Sequence, residues 1–175
     1  DGQWSFTPTT ALIDGAHSVT STSTDAAGLT SPASTAVAFT VDTVAPVAPA
    51  SMIATDDVGV ITGTLAANAS TDDNKPTFSG TAEPNSVVKV YDGANLLGTT
   101  TANASGAWSF TPATALIDGP HSVTSTATDA AGLTSPASTA FAFTVDTVAP
   151  VAPTSMIATD DVGTIQGALA ANAKT

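Results

Sequence analysis

Apolar and polar residues alternate in short runs along the middle of the chain, and each run stops at a turn dipeptide. Residues 77–82 (TFSGTA) read as a strand closed by the turn 83–86 (EPNS). Residues 87–91 follow, with Val88 and Val90 facing inward and Lys89 and Tyr91 outward, ended by Asp92-Gly93. Residues 96–101 form the next strand, and after the turn at 103–106 Trp108 and Phe110 share an inward face. Residues 121–128 place Val123, Ser125 and Ala127 on one side and Ser122, Thr124, Thr126 and Thr128 on the other. Phe141, Phe143 and Val145 point inward from the last run, and no helical apolar stripe exceeds two turns. Roughly seven short strands in about 100 residues predict an all-β, immunoglobulin-like β-sandwich. With no Cys in the chain, it has no disulfide.

The pattern occurs twice. Residues 1–71 laid over 105–175 differ only at positions 1, 3, 9, 16, 23, 37, 50, 60, 62, 64 and 70, a repeat of 104 residues. That period is the size of a small domain rather than of one solenoid unit. The segment 42–49 (DTVAPVAP), repeated at 146–153, is the natural linker: its two prolines fix φ and withhold backbone donors, so it is extended and semi-rigid. This phasing divides the chain into 1–41, the C-terminal part of a preceding repeat; 42–145, a complete repeat; and 146–175, the N-terminal part of the next. Neither flank contains a segment matching 72–104, so neither is expected to close a sandwich alone.

Ala, Thr and Ser supply 83 of 175 residues, which leaves few bulky side chains for each core. The three basic residues, Lys75, Lys89 and Lys174, face 15 acids for a net charge of -12, and this excludes the cationic surface that nucleic-acid binding requires. No apolar run reaches the roughly 18 residues of a membrane span, and the first residues show no signal-peptide pattern. Catalysis is not expected. His17 and His121 are one position in two copies, and Ser122, His121 and Asp118 cannot form a triad because adjacent strand residues point to opposite faces. His121 is expected to pack at the sandwich rim, and Trp4 and Trp108 to fill cores.

Residues 71–138, running from TDDNKPTFSG to DAAGLTSPAS, followed by FTVDTVAP at 143–150, resemble the bacterial Ig-like repeats of giant biofilm-associated and type I secreted (RTX-type) surface adhesins. The resemblance covers the whole chain. It implies an extracellular, cell-surface extender that holds a distal binding domain away from the cell in adhesion and biofilm formation, with calcium at or near domain junctions. Neither an EF-hand loop nor the glycine-rich nonapeptide calcium repeat is present. Its partners would be neighbouring repeats and other copies in a matrix. The alternatives are a ligand-binding module acting by avidity on a glycan, a surface or ice, the last pointed to by the Thr124, Thr126, Thr128 row, or a self-associating fibre.

Immunoglobulin-type topology places the acids at the two poles. At the entrance pole Asp129 is expected beside the linker residue Asp42, with Asp14 approaching from the preceding repeat. At the exit pole Asp56, Asp57, Asp72 and Asp73 share a loop region with Asp118 and Asp146. Like charges about 5 Å apart repel by on the order of a kcal/mol even when solvated. A calcium ion, taking roughly six to eight oxygens from flexible loops, removes that cost and stiffens the junction. Asp92 is expected to serve only its turn. Each repeat would add a rigid unit of roughly 40 Å, from strands of about seven residues at ~3.3 Å rise plus loops.

Overall fold

A computed structural model of the chain describes residues 2–60, 62–162 and 166–169. Among them are thirteen strands and no helix, so no helix is long and apolar enough to cross a membrane. In chain order the strands are β1 (Gly15–Val19), β2 (Val37–Val41), β3 (Ala50–Asp56), β4 (Gly63–Thr64), β5 (Ser70–Thr71), β6 (Thr77–Thr81) and β7 (Val87–Asp92). They continue with β8 (Asn95–Thr101), β9 (Ala107–Phe110), β10 (Gly119–Thr128), β11 (Phe141–Val145), β12 (Thr159–Asp160) and β13 (Gly167–Ala168).

Two sheets are built wholly from β3–β11. One has the order β4-β3-β6-β9, the other β5-β11-β10-β7-β8. Alternation decides what lies between them. Phe78 and Trp108 come inward from the first sheet, Val88, Val90, Val123, Phe141, Phe143 and Val145 from the second, and all are buried. Phe143 packs on Phe78 and Phe141 at ring distances of 5.9 and 6.2 Å. The β-sandwich read from periodicity is therefore the observed architecture. Small residues let the sheets close on this modest core: a Cβ on Gly80 would stand 2.9 Å from the Ala50 carbonyl oxygen and 3.0 Å from the Trp108 ring.

The sheet edges were less visible in the sequence. β3 carries a bulge between Ala50 and Ile53, where Ser51 adopts φ +55°. β5 joins β11 in parallel through only two residue pairs, Ser70 with Thr144 and Thr71 with Val145.

The flanks form separate hairpins. β1 pairs with β2 from Gly15↔Val41 to Val19↔Val37, and β10 pairs with β11 from Gly119↔Val145 to Val123↔Phe141, so each pair recurs 104 residues later. A nearly identical sequence thus makes the same hairpin with and without a facing sheet. Burial separates the two: Trp108 is 4% exposed and Phe143 2%, whereas Trp4 is 71% and Phe39 40%. Trp108 fills a core as expected, and Trp4 does not. At the other end β12 pairs with β13, and residues 163–165 and 170–175 of the C-terminal stretch, with Lys174, lie outside the described residues.

Candidate functional site

The junctions are organised by carboxylates that accept hydrogen bonds from the linker. At the end of the 119–145 hairpin, Asp118 Oδ1 accepts from the Thr147 amide at 3.1 Å and from its hydroxyl at 2.9 Å. Asp146 Oδ1 accepts from the Val148 amide at 3.1 Å, an Asx turn that starts the linker. The first copy repeats the arrangement: Asp14 Oδ1 takes the Thr43 amide at 3.1 Å and hydroxyl at 2.9 Å, and Asp42 Oδ1 takes the Val44 amide at 3.1 Å. A short Asp-Gly turn places Asp14 and Asp118 beside the strand that leaves the hairpin. Each carboxylate thereby ties the exit strand's continuation to the loop that precedes the hairpin.

Beyond this clasp, the first linker lies against the body of the 50–145 sandwich. Residues 44–48 line a groove with Thr81, Ala82, Glu83 and Pro84, and Pro46 and Pro49 are buried. Proline suits this seat because it has no amide hydrogen to leave unsatisfied on burial. The corresponding Pro150 and Pro153 are exposed.

The exit pole holds the remaining predicted acids. Asp56, buried, accepts from the Val58 amide at 2.9 Å and from the Thr71 hydroxyl at 2.5 Å. Asp73, also buried, accepts from the Lys75 amide at 2.7 Å and, at 3.4 Å, from the Asp57 amide. Asp57 is exposed and contributes that amide, while Asp72 sits over Gly59. Asp56, Asp72 and Asp146 line one open cleft with Ser70 and Thr71. The Asp146 amide donates to the Thr71 carbonyl at 2.9 Å, so β5 and the linker start are held together there.

Asp129 does something else. Its Oδ1 accepts from the Leu133 amide at 2.9 Å and closes its own loop, while Oδ2 is buried without a hydrogen-bond partner. Asp14 and Asp42 are thus brought to one linker, and neither is bonded to Asp129. Among the described residues no group of three His, Asp or Glu side chains is placed to hold a metal ion. The carboxylates of Asp14, Asp42, Asp56, Asp73, Asp118 and Asp146 accept from amides or hydroxyls of their own chain.

Two side chains have larger roles than their sequence context indicated. Asp92 is more than a turn residue: its Oδ2 lies 2.7 Å from His121 Nδ1, and its Oδ1 accepts from the Ser122 amide at 3.0 Å. His121 is buried, stacks on Phe143 at 5.4 Å and directs Nε2 to the Ile117 carbonyl at 2.8 Å. Its carboxylate partner is therefore Asp92, and Asp118 is committed to Thr147. The residues missed by sequence reasoning at the junction are Thr43 and Thr147. Their recurrence directly after Asp42 and Asp146 was the available signal.

On the outer face of the five-stranded sheet, Thr124 and Thr126 stand in register with Tyr91 and Lys89 of β7. The threonine row is thus flanked on that side by an aromatic and a charged residue.

The bacterial Ig-like domain profile matches residues 1–43 and 48–147. The chain belongs to the bacterial Ig-like domain family. No curated protein matches it. A solved biofilm-associated protein, its BSP domain, is similar at 24% identity with a TM-score of 0.37, over 79% of this chain and 27% of that one. The chain spans about a quarter of that relative's length. In this Ig-like chain the two matched stretches are separated by residues 44–47, which lie in the clasped, proline-containing linker.

Proposed function

We propose that this Ig-like chain is part of the extender of a large bacterial surface adhesin, a stalk that carries a distal binding domain away from the cell in adhesion and biofilm formation. Residues 42–145 are its complete repeat, 1–41 the end of the preceding one and 146–175 the beginning of the next. The observation that carries the reading is the recurrence of one junction: Asp14 on Thr43 and Asp118 on Thr147, with matching atoms and distances, at the end of both hairpins. A repeated module with a repeated locked joint gives reach and stiffness, whereas a binding head breaks symmetry to build a site on particular loops.

The clasp limits bending by pinning the first linker residues to the repeat that precedes them, and the seat of residues 44–48 against the 81–84 turn limits it from the other side. Extracellular calcium is the second element of the proposal. Asp56, Asp72 and Asp146 line one cleft at the pole where the linker leaves, and repulsion among them falls when a divalent ion is nearby. In their present placement they form no ready-made site, so calcium would tighten a joint that the clasp already forms.

Small-angle X-ray scattering on a protein of three whole repeats tests the reading. It should give a rod whose length grows by roughly 40 Å per repeat, as strands of about seven residues at ~3.3 Å rise plus loops imply. Calcium at about 1 mM, the upper range for extracellular modules, should lengthen it relative to chelator. A rod unchanged by chelator removes calcium and keeps the extender. A flexible coil in both conditions removes the extender and turns attention to an adhesive face acting by avidity.

A further inference from the structure

The backbone enters and leaves the 50–145 sandwich at opposite poles. The starts of β3 and β11 line one groove, through Ala50, Ser51, Met52, Ala140 and Phe141 among others. At the other pole Asp56, the last residue of β3, and Asp146, the first after β11, line one cleft. β3 and β11, one from each sheet, therefore run side by side in the same direction. Tension carried by the linkers draws β3 back toward its start and β11 onward past its end. Each strand is loaded along its own axis, so the pairs that hold it resist together instead of parting one by one.

The two loaded ends are built differently. β11 is held on both edges up to its last residue. β10 pairs with it from Phe141 to Val145. On the β5 side the Thr144 amide donates to the Ala69 carbonyl and the Asp146 amide to the Thr71 carbonyl, both at 2.9 Å. Asp118 then ties Thr147 to the start of β10. At the loaded end of β3 the ladder is interrupted. Ala50 pairs with Thr81, and the register breaks at the bulge, where Ser51 lies at φ +55°, before Ile53 meets Ser79. A bulge leaves its extra residue out of the ladder. β4 reaches only the far end of β3, at Thr55 and Asp56. Ahead of Ala50, the buried Pro46 and Pro49 have no amide to contribute.

We propose that the repeat is a load-limiting element with a fixed order of failure: under tension β3 yields, and β11 with its clasp holds. This order rests on the extender reading, in which force enters at one linker and leaves by the next. A repeat that yields releases residues 50–145, roughly 300 Å of contour at about 3.5 Å per residue less the folded length. The stalk thereby lengthens while its other repeats stay folded, and the exit joint is not the point that breaks.

Optical tweezers test the order by holding the full chain at its two ends under constant force and timing the step that releases the sandwich. The chain has no Cys, so pairs of cysteines can be placed without background. Ile53→Cys with Ser79→Cys links β3 to β6, and Lys89→Cys with Thr126→Cys links β7 to β10, each at a register pair. Opposed residues of antiparallel strands lie about 4.5–5.5 Å apart, a span that a disulfide bridges. Oxidising the first pair should lengthen the lifetime about tenfold or more over its own reduced form, because several hydrogen bonds of β3 no longer part. Oxidising the second should raise the urea midpoint by closing a loop of the unfolded chain, yet leave the lifetime under load within about twofold. Asp118→Ala should also leave it within about twofold, as a surface substitution away from the yielding strand. A first crosslink without effect on the lifetime, a second that lengthens it as much as the first, or a tenfold shortening by Asp118→Ala overturns that order. Such a result beside a rod in scattering removes only the load-limiting role, and a selective first crosslink beside a flexible array removes only the extender.

Discussion

His121 and Asp92 meet across the β7–β10 pair, with Nδ1 2.7 Å from Oδ2 although the residues are 29 apart in sequence. The contact joins the tip of the β7–β8 hairpin to the start of β10, and Asp92 also accepts the Ser122 amide while the Gly93 amide donates to the Ser122 carbonyl at 3.0 Å. Among the described residues no other basic side chain lies within salt-bridge distance of a carboxylate. A buried ring that stacks on Phe143 and faces two acceptors depends on both of them for its place.

Asp92→Asn should therefore lower stability by about 1.5–3 kcal/mol, the range for a hydrogen bond to a charged group. Urea unfolding should show a lower midpoint with an unchanged slope. A double-mutant cycle with His121→Ala should return a coupling of at least about 0.5 kcal/mol, because the two side chains touch. Additivity of the two changes would contradict the pairing.

Much of the fold was legible because its strands are half-buried. Alternation at Val88 and Val90, at Val123, Ser125 and Ala127, and at Phe141, Phe143 and Val145 names the inward face before any coordinate is known. The 104-residue repeat was equally plain, and immunoglobulin-type topology brought Asp14 to the linker that begins at Asp42. What stayed hidden depends on contacts distant in sequence. The two-residue parallel pairing of β5 with β11 has no periodicity to read, and Asp92 looks like any Asp-Gly turn until β10 is laid beside it. The acids at the poles were visible as a group. Their use as acceptors for Thr43, Thr71 and Thr147 was not, since a carboxylate's partner is set by loop conformation.

The duplicated hairpin gives an internal control on packing. Phe143→Ala opens a cavity in a filled core and should cost about 3–5 kcal/mol. Phe39→Ala, at the identical sequence position of the first copy, should change the main unfolding transition by no more than about 0.5 kcal/mol. Equal costs would mean that the 2–41 hairpin shares the core of the 50–145 sandwich.

Gly106 closes the turn before β9 at φ +83°, and a Cβ there would lie 2.5 Å from the Ala82 carbonyl oxygen. Gly106→Ala meets both backbone strain and a backbone clash, so it should destabilise by more than about 1 kcal/mol. Gly132→Ala, at φ +88° with open space around it, carries the strain alone and should cost less. Thermal unfolding of the two variants side by side checks the order, and the reverse order would place the turn differently against Ala82.

In the proposed extender, Asp118 on Thr147 locks each repeat to the linker that follows. Because the chain has no Cys, spin labels can be attached at Thr99→Cys, an exposed site, in two consecutive whole repeats without background. Pulsed electron resonance then reads the distribution of distances between them. A narrow distribution that broadens when the intervening Asp118 becomes Ala is the predicted result. A distribution equally broad before and after that change would contradict the locked joint, and so would one that stays narrow without the carboxylate.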